Sequence, residues 1–115
     1  KSKKYSIKLV ESKPEYFVKE QISEDTAYII GHSRGANKIL KEFDPNSFPE
    51  IKGVVLLDPI DAFHKEWNNL DVCKLLFTSD WGQNYLKFKG AVHITDDHYF
   101  NKSLDKIKKY LNEFL

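Results

Sequence analysis

Gly31-His32-Ser33-Arg34-Gly35 places a serine between two glycines, each two residues away. A serine that attacks an acyl carbon must be held out on a tight strand-to-helix turn, where side chains two residues to either side would collide. The flanking residues suit that context. Ala27-Tyr28-Ile29-Ile30 is an apolar run that reads as a buried strand, and Ala36, Ile39, Leu40 and Phe43 recur with a helical period from Arg34 onwards. The Arg34 amide would open that helix and face an oxyanion forming on the substrate. The plainer alternative is a strand-helix turn in which Ser33 merely caps the helix.

A serine hydroxyl becomes a nucleophile only beside a base that is itself oriented by an acid, and chains with this motif supply them in the order Ser, acid, His. Two acids follow strand-like runs: Asp58 directly after Val54-Val55-Leu56-Leu57, and Asp80 two residues after Leu75-Leu76-Phe77. Asp58-Pro59 also fits an ordinary strand-ending turn, so both acids stay open. Two histidines come later, His93 in Gly90-Ala91-Val92-His93 and His98 in Asp96-Asp97-His98-Tyr99-Phe100. His93 is preferred because it follows a strand and a Gly-Ala pair, which lets the loop turn sharply. His98 reads as the alternate, a surface residue near the terminal helix.

Other chemistry-bearing residues have blander readings. His32 packs or hydrogen-bonds locally, and Arg34 lines a pocket rim or points to solvent. Phe63, His64 and Trp67 read as an amphipathic surface helix, with a pocket wall as the alternative. His93, Asp96, Asp97 and His98 lack the helical or hairpin spacing that would preorganise a metal site. Cys73 is the only cysteine, which excludes an internal disulfide and a Cys-based zinc site, and its apolar surroundings suggest a buried, inert thiol. No metal or organic cofactor is implied. Asn101-Lys102-Ser103 fits a glycosylation sequon, which has meaning only in a secreted chain.

The elements that must position these residues alternate along the chain. Tyr5–Val10 reads as a half-buried strand, Pro14–Gln21 as a short helix, Arg34–Phe43 as a helix stopped by Asp44-Pro45-Asn46, and Tyr85–Lys89 as a weaker strand. Leu104, Ile107, Tyr110, Leu111 and Phe114 form the stripe of a terminal helix starting near Asn101. Apolar strand runs separated by helices argue for a single domain over residues 1–115, a three-layer α/β/α sandwich whose mostly parallel sheet has about five strands. Active sites in such sheets lie at the carboxyl ends of the strands.

Composition excludes several classes. The 115 residues are 41% hydrophobic and 30% charged, which suits one globular core. The 18 basic and 17 acidic residues nearly balance, giving no electrostatic case for nucleic acid as a partner. Lys1-Ser2-Lys3-Lys4 reads as a solvated end. No run approaches the ~20 apolar residues of a membrane span.

The chain resembles the branch of α/β-hydrolases that holds the chlorophyllases and the platelet-activating-factor acetylhydrolases. Gly31–Gly35 is similar to the chlorophyllase nucleophile segment. Val54-Val55-Leu56-Leu57-Asp58-Pro59-Ile60-Asp61 is similar to the segment that carries the branch's catalytic aspartate. Leu76–Asp80 and Lys89-Gly90-Ala91-Val92-His93 resemble later acetylhydrolase segments. The resemblance runs from about Ala27 to the end and implies a serine esterase or lipase with the triad Ser33, Asp58 and His93, acting on a small-molecule or lipid ester.

Such an enzyme needs a second oxyanion donor, usually from a loop upstream of the nucleophile. Only Lys1–Lys4 precede the strand over Tyr5–Val10, so that loop is expected to be missing. The absence of methionine suggests a processed or excised piece, with an N-terminal segment of the same protein completing the hole. The expected function is carboxylic ester hydrolysis through an acyl-serine. The alternative is a weak or inactive hydrolase-derived binding or scaffold domain.

Overall fold

In the computed structural model, which describes residues 6–12 and 18–115, five strands form one sheet in the order β1 (Ile7–Val10), β2 (Tyr28–His32), β3 (Gly53–Leu57), β4 (Cys73–Thr78), β5 (Val92–His93). Every adjacent pair is parallel, so the carboxyl ends of all five strands share one edge. Residues 1–5 and 13–17, and with them the basic end, Tyr5 and the start of the expected first helix, lie outside the described residues.

Alternation along the central strands explains the two covered faces. Ile29, Val54, Leu56 and Leu76 point to one side, where they pack with Val18 of α1 (Val18–Gln21), Ala36, Ile39 and Leu40 of α2 (Arg34–Glu42), and Trp67 of α3 (His64–Asn69). Val55 and Phe77 point to the other side, against Ile107, Tyr110, Leu111 and Phe114 of α5 (Leu104–Phe114). Strands buried on both faces carry apolar residues without polar alternation, as the sequence of β3 does. β1 is an edge strand, and its Ile7 and Leu9 are exposed.

Two expectations need correction. The strand expected over Tyr85–Lys89 is absent: Ser79 caps α4 (Asp80–Tyr85), its side chain accepting from the Gly82 amide, and the last strand falls at Val92–His93. Cys73 is exposed, because it is the first residue of β4, at the rim of the helical cover. As an amphipathic surface helix requires, α3 buries Trp67 and leaves its other residues exposed or half-buried. The Trp67 indole N–H donates to the Lys89 carbonyl at 2.8 Å, and the Lys74 ammonium sits 4.4 Å above its ring while bonding the Trp67 carbonyl. Burial lowers the Lys74 pKa from its ordinary value, with Asp71 acting partly against it.

Candidate active site

Sheet register sets up the site. His32 pairs with Leu57, and Leu57 pairs with Phe77, so the next residues, Ser33 and Asp58, leave adjacent strands at the same level. Each is pinned to the strand beside it. The Ser33 amide donates to the Leu57 carbonyl at 2.8 Å, and the Asp58 amide donates to the Phe77 carbonyl at 2.8 Å.

The elbow around Ser33 is strained in the manner its glycines permit. Ser33 has φ 58° and ψ −116°, a left-handed conformation rare for a residue with a side chain. A Cβ on Gly31 would lie 2.7 Å from the Gly35 carbonyl oxygen and the Ala36 nitrogen. One on Gly35 would lie 2.3 Å from the Val10 carbonyl oxygen. Both glycines are therefore required by backbone approach, the second by the packing of α2 on the end of β1.

His98 Nε2 lies 2.9 Å from Ser33 Oγ, and His98 Nδ1 lies 2.5 Å from Asp58 Oδ2. With Asp58 ionised, Nδ1–H donates to the carboxylate, leaving Nε2 to accept the serine proton. Asp58 is fully buried and has φ 50°. Its Oδ2 also accepts the Ser79 hydroxyl at 2.5 Å, and its Oδ1 accepts the Ser79 amide at 3.1 Å. Gly82 completes this seat, because a Cβ there would stand 2.0 Å from Asp58 Oδ1. Of the two acids left open by the sequence, Asp58 is the one in the row.

The preference for His93 over His98 does not hold. His93 belongs to β5, three strands from β2, a separation of about 14 Å at ordinary strand spacing. No side chain crosses that gap from a strand position. His93 instead pairs with Asp80 at 2.6 Å, both side chains partly in solvent. The loop after β5 carries His98 back over the strand ends, and its own hydrogen bonds hold it there. Asp96 accepts from the Asp97 amide at 2.7 Å and the Lys102 amide at 2.8 Å, Asp97 accepts from the Tyr99 amide at 2.9 Å, and the Asp80 amide donates to the Asp96 carbonyl at 3.2 Å. Burial alone would raise the Asp96 pKa. The Ser103 hydroxyl, these two amides and the Lys102 charge outweigh it and hold the carboxyl below its ordinary value.

Three contributors escape a reading of the sequence. Ser79 and Gly82 seat Asp58, and their only signal is a position just past a strand end. His32 is the third: its Nε2–H donates to the His98 carbonyl at 2.7 Å, and the two rings lie 5.0 Å apart. Arg34 is exposed and begins α2, whose first amides have no acceptor within the helix.

Glu11 and Ser12, the described residues that leave β1 beside β2, stand next to the elbow. Ser12 lines a cavity of ≈ 440 Å³ with Arg34 and Asn37, and another of ≈ 280 Å³ with His32 and Gly35. The Asn37 side chain orders the segment after Asp58, accepting from the Ile60 and Asp61 amides and donating to the Asp61 carboxylate. Among the described residues no group of three or more His, Cys, Asp or Glu side chains is arranged to hold a metal ion, and no helix is long and apolar enough to cross a membrane.

No protein-family model, curated protein or solved structure matches this chain.

Proposed function

We propose that the chain is a serine hydrolase that cleaves carboxylic esters through an acyl-serine intermediate. The row Ser33 Oγ, His98 Nε2, His98 Nδ1, Asp58 Oδ2 carries this reading, with distances of 2.9 and 2.5 Å across its two links. Ser33 Oγ attacks the ester carbonyl while His98 Nε2 takes its proton. Asp58 fixes the imidazole tautomer and stabilises its charged form. As the tetrahedral intermediate collapses, His98 returns the proton to the leaving alkoxy oxygen and the acyl group stays on Ser33. Water, deprotonated by His98, then releases the acid and restores the serine. The Arg34 amide serves as one oxyanion donor.

A fluorophosphonate probe tests this reading, because it phosphonylates an activated serine without needing the natural substrate. Wild type is expected to label, with Ser33→Ala and His98→Ala reduced to background and His93→Ala close to wild type. Equal labelling of wild type and Ser33→Ala would sink the nucleophile. Loss of labelling in His93→Ala but not in His98→Ala would restore the other histidine. Ligand binding with no labelling would favour an inactive binding domain on the same scaffold.

A further inference from the structure

An aromatic surface surrounds the proposed base. Trp81 stands edge-on to His98 with ring centres 5.4 Å apart, and Tyr99 does the same from another side at 5.4 Å. Tyr85 extends the Trp81 side, 5.7 Å from it, and Tyr99 lies 5.7 Å from His32. Trp81 is 37% exposed, Tyr85 71% and Tyr99 69%. Large apolar side chains scattered singly on a surface need no explanation, but a contiguous exposed group at a reactive centre does.

Packing does not account for these rings. The faces of the sheet are covered by α1, α2, α3 and α5, and none of Trp81, Tyr85 or Tyr99 belongs to either core cluster. Two of them come from α4 and one from the His98 loop, so separate segments converge on one imidazole. The buried rings nearby, Phe77 and Phe100, already fill the interior.

Chemistry decides which part of a substrate would meet them. If Ser33 is the nucleophile, His98 Nε2 must deliver a proton to the leaving oxygen, which brings that oxygen within hydrogen-bond reach of the imidazole. Whatever is attached to the oxygen then lies beside the His98 ring, where Trp81 and Tyr99 stand. The acyl group, bonded to Ser33 Oγ and with its oxyanion towards the Arg34 amide, lies on the elbow side.

We propose that Trp81 and Tyr99, extended by Tyr85, form the subsite for the alcohol portion of the ester, and that this portion carries a planar aryl group. The proposal rests on the serine hydrolase reading. Stacking and edge contacts favour flat aromatic groups over small aliphatic ones. The preference is on the leaving-group side alone: the ester C–O bond breaks, the aryl alcohol departs with the proton from His98, and the acyl group remains on Ser33.

Acetate esters whose alcohols have similar acidity separate binding from leaving-group chemistry. Wild type is expected to hydrolyse 2-naphthylmethyl acetate with a kcat/KM about ten-fold above that for ethyl acetate. In Trp81→Ala the ratio between the two acetates is expected to shrink to about two-fold or less, whatever loss is common to both, and Trp81→Phe is expected to keep most of it. Ethyl 2-naphthylacetate, which carries the ring on the acyl side, is expected to gain nothing from Trp81. Equal loss on both acetates in Trp81→Ala would overturn the subsite, as would an advantage that follows the acyl ring.

Titration of Ser33→Ala with 2-naphthylmethanol keeps the two claims apart. Binding that Trp81→Ala abolishes, with no turnover in wild type, would leave the subsite standing and the catalytic reading fallen. Turnover without such binding would do the reverse.

Discussion

His32, the residue before the proposed nucleophile, donates through Nε2–H to the backbone carbonyl of His98 at 2.7 Å. The elbow therefore holds the loop that carries His98. His32 gains this reach from its place at the end of β2, next to the Ser33 turn, while the other end of the bond lies 66 residues along the chain.

Loss of that bond is expected to loosen His98 without unfolding the sheet. His32→Ala is expected to slow fluorophosphonate labelling of Ser33 by about five- to ten-fold, in line with roughly 1 kcal/mol for one hydrogen bond. His32→Gln, which keeps a side-chain N–H donor, is expected to recover part of the rate. A merely structural histidine would show a lowered melting temperature in both variants and no selective recovery. Wild-type labelling kinetics in His32→Ala would refute the positioning role.

Gly82 makes a second, sharper test of the Asp58 seat. Its Cβ would fall 2.0 Å from Asp58 Oδ1, and the backbone carrying it belongs to α4 and cannot withdraw as a flexible side chain would. Gly82→Ala is expected to push the carboxylate off its line to His98 and reduce labelling at least ten-fold, because an acid that fails to hold the imidazole tautomer forfeits most of its effect. Ser79→Ala, which removes the hydroxyl that donates to Asp58 Oδ2, is expected to cost about 1–2 kcal/mol of stability in a urea melt. Normal labelling in Gly82→Ala would mean that Asp58 does not orient the base.

Much of the fold was legible because its signals are local. The β3 run Val54–Leu57 has no polar alternation, and the Gly31–Gly35 spacing marks a turn whose crowding is entirely within the motif and the adjoining strand. The acid was narrowed to two positions for the same reason, since Asp58 follows its strand immediately. Which histidine meets Ser33 was not legible, because the choice depended on distance across the sheet. His93 has the better local position, but it lies on the far edge strand, whereas His98 returns on a loop closed by Asp96 and Asp97. No period or spacing encodes that return. Likewise, the helical cap at Ser79 overrode the strand tendency of Tyr85–Lys89, and the aromatic residues around His98 became a group only through the fold.

The acid limb of stability should report on that loop. Asp96 is held below its ordinary pKa by hydrogen bonds and the Lys102 charge, despite its burial. Its ionised form is therefore favoured by folding. The contribution is fully present above the unfolded aspartate value near ~3.9 and is lost as pH falls through the lower folded value. Asp96→Asn removes it at neutral pH, where the variant is expected to melt at a lower temperature than wild type. The gap between the two is expected to narrow as pH falls below the ordinary aspartate range towards the lower folded value, where wild type loses the same charge. Thermal melts at pH 7 and at pH 3 measure it. A gap that stays constant between them would show that the Asp96 charge does not stabilise the loop, and that His98 is held by the remaining bonds alone.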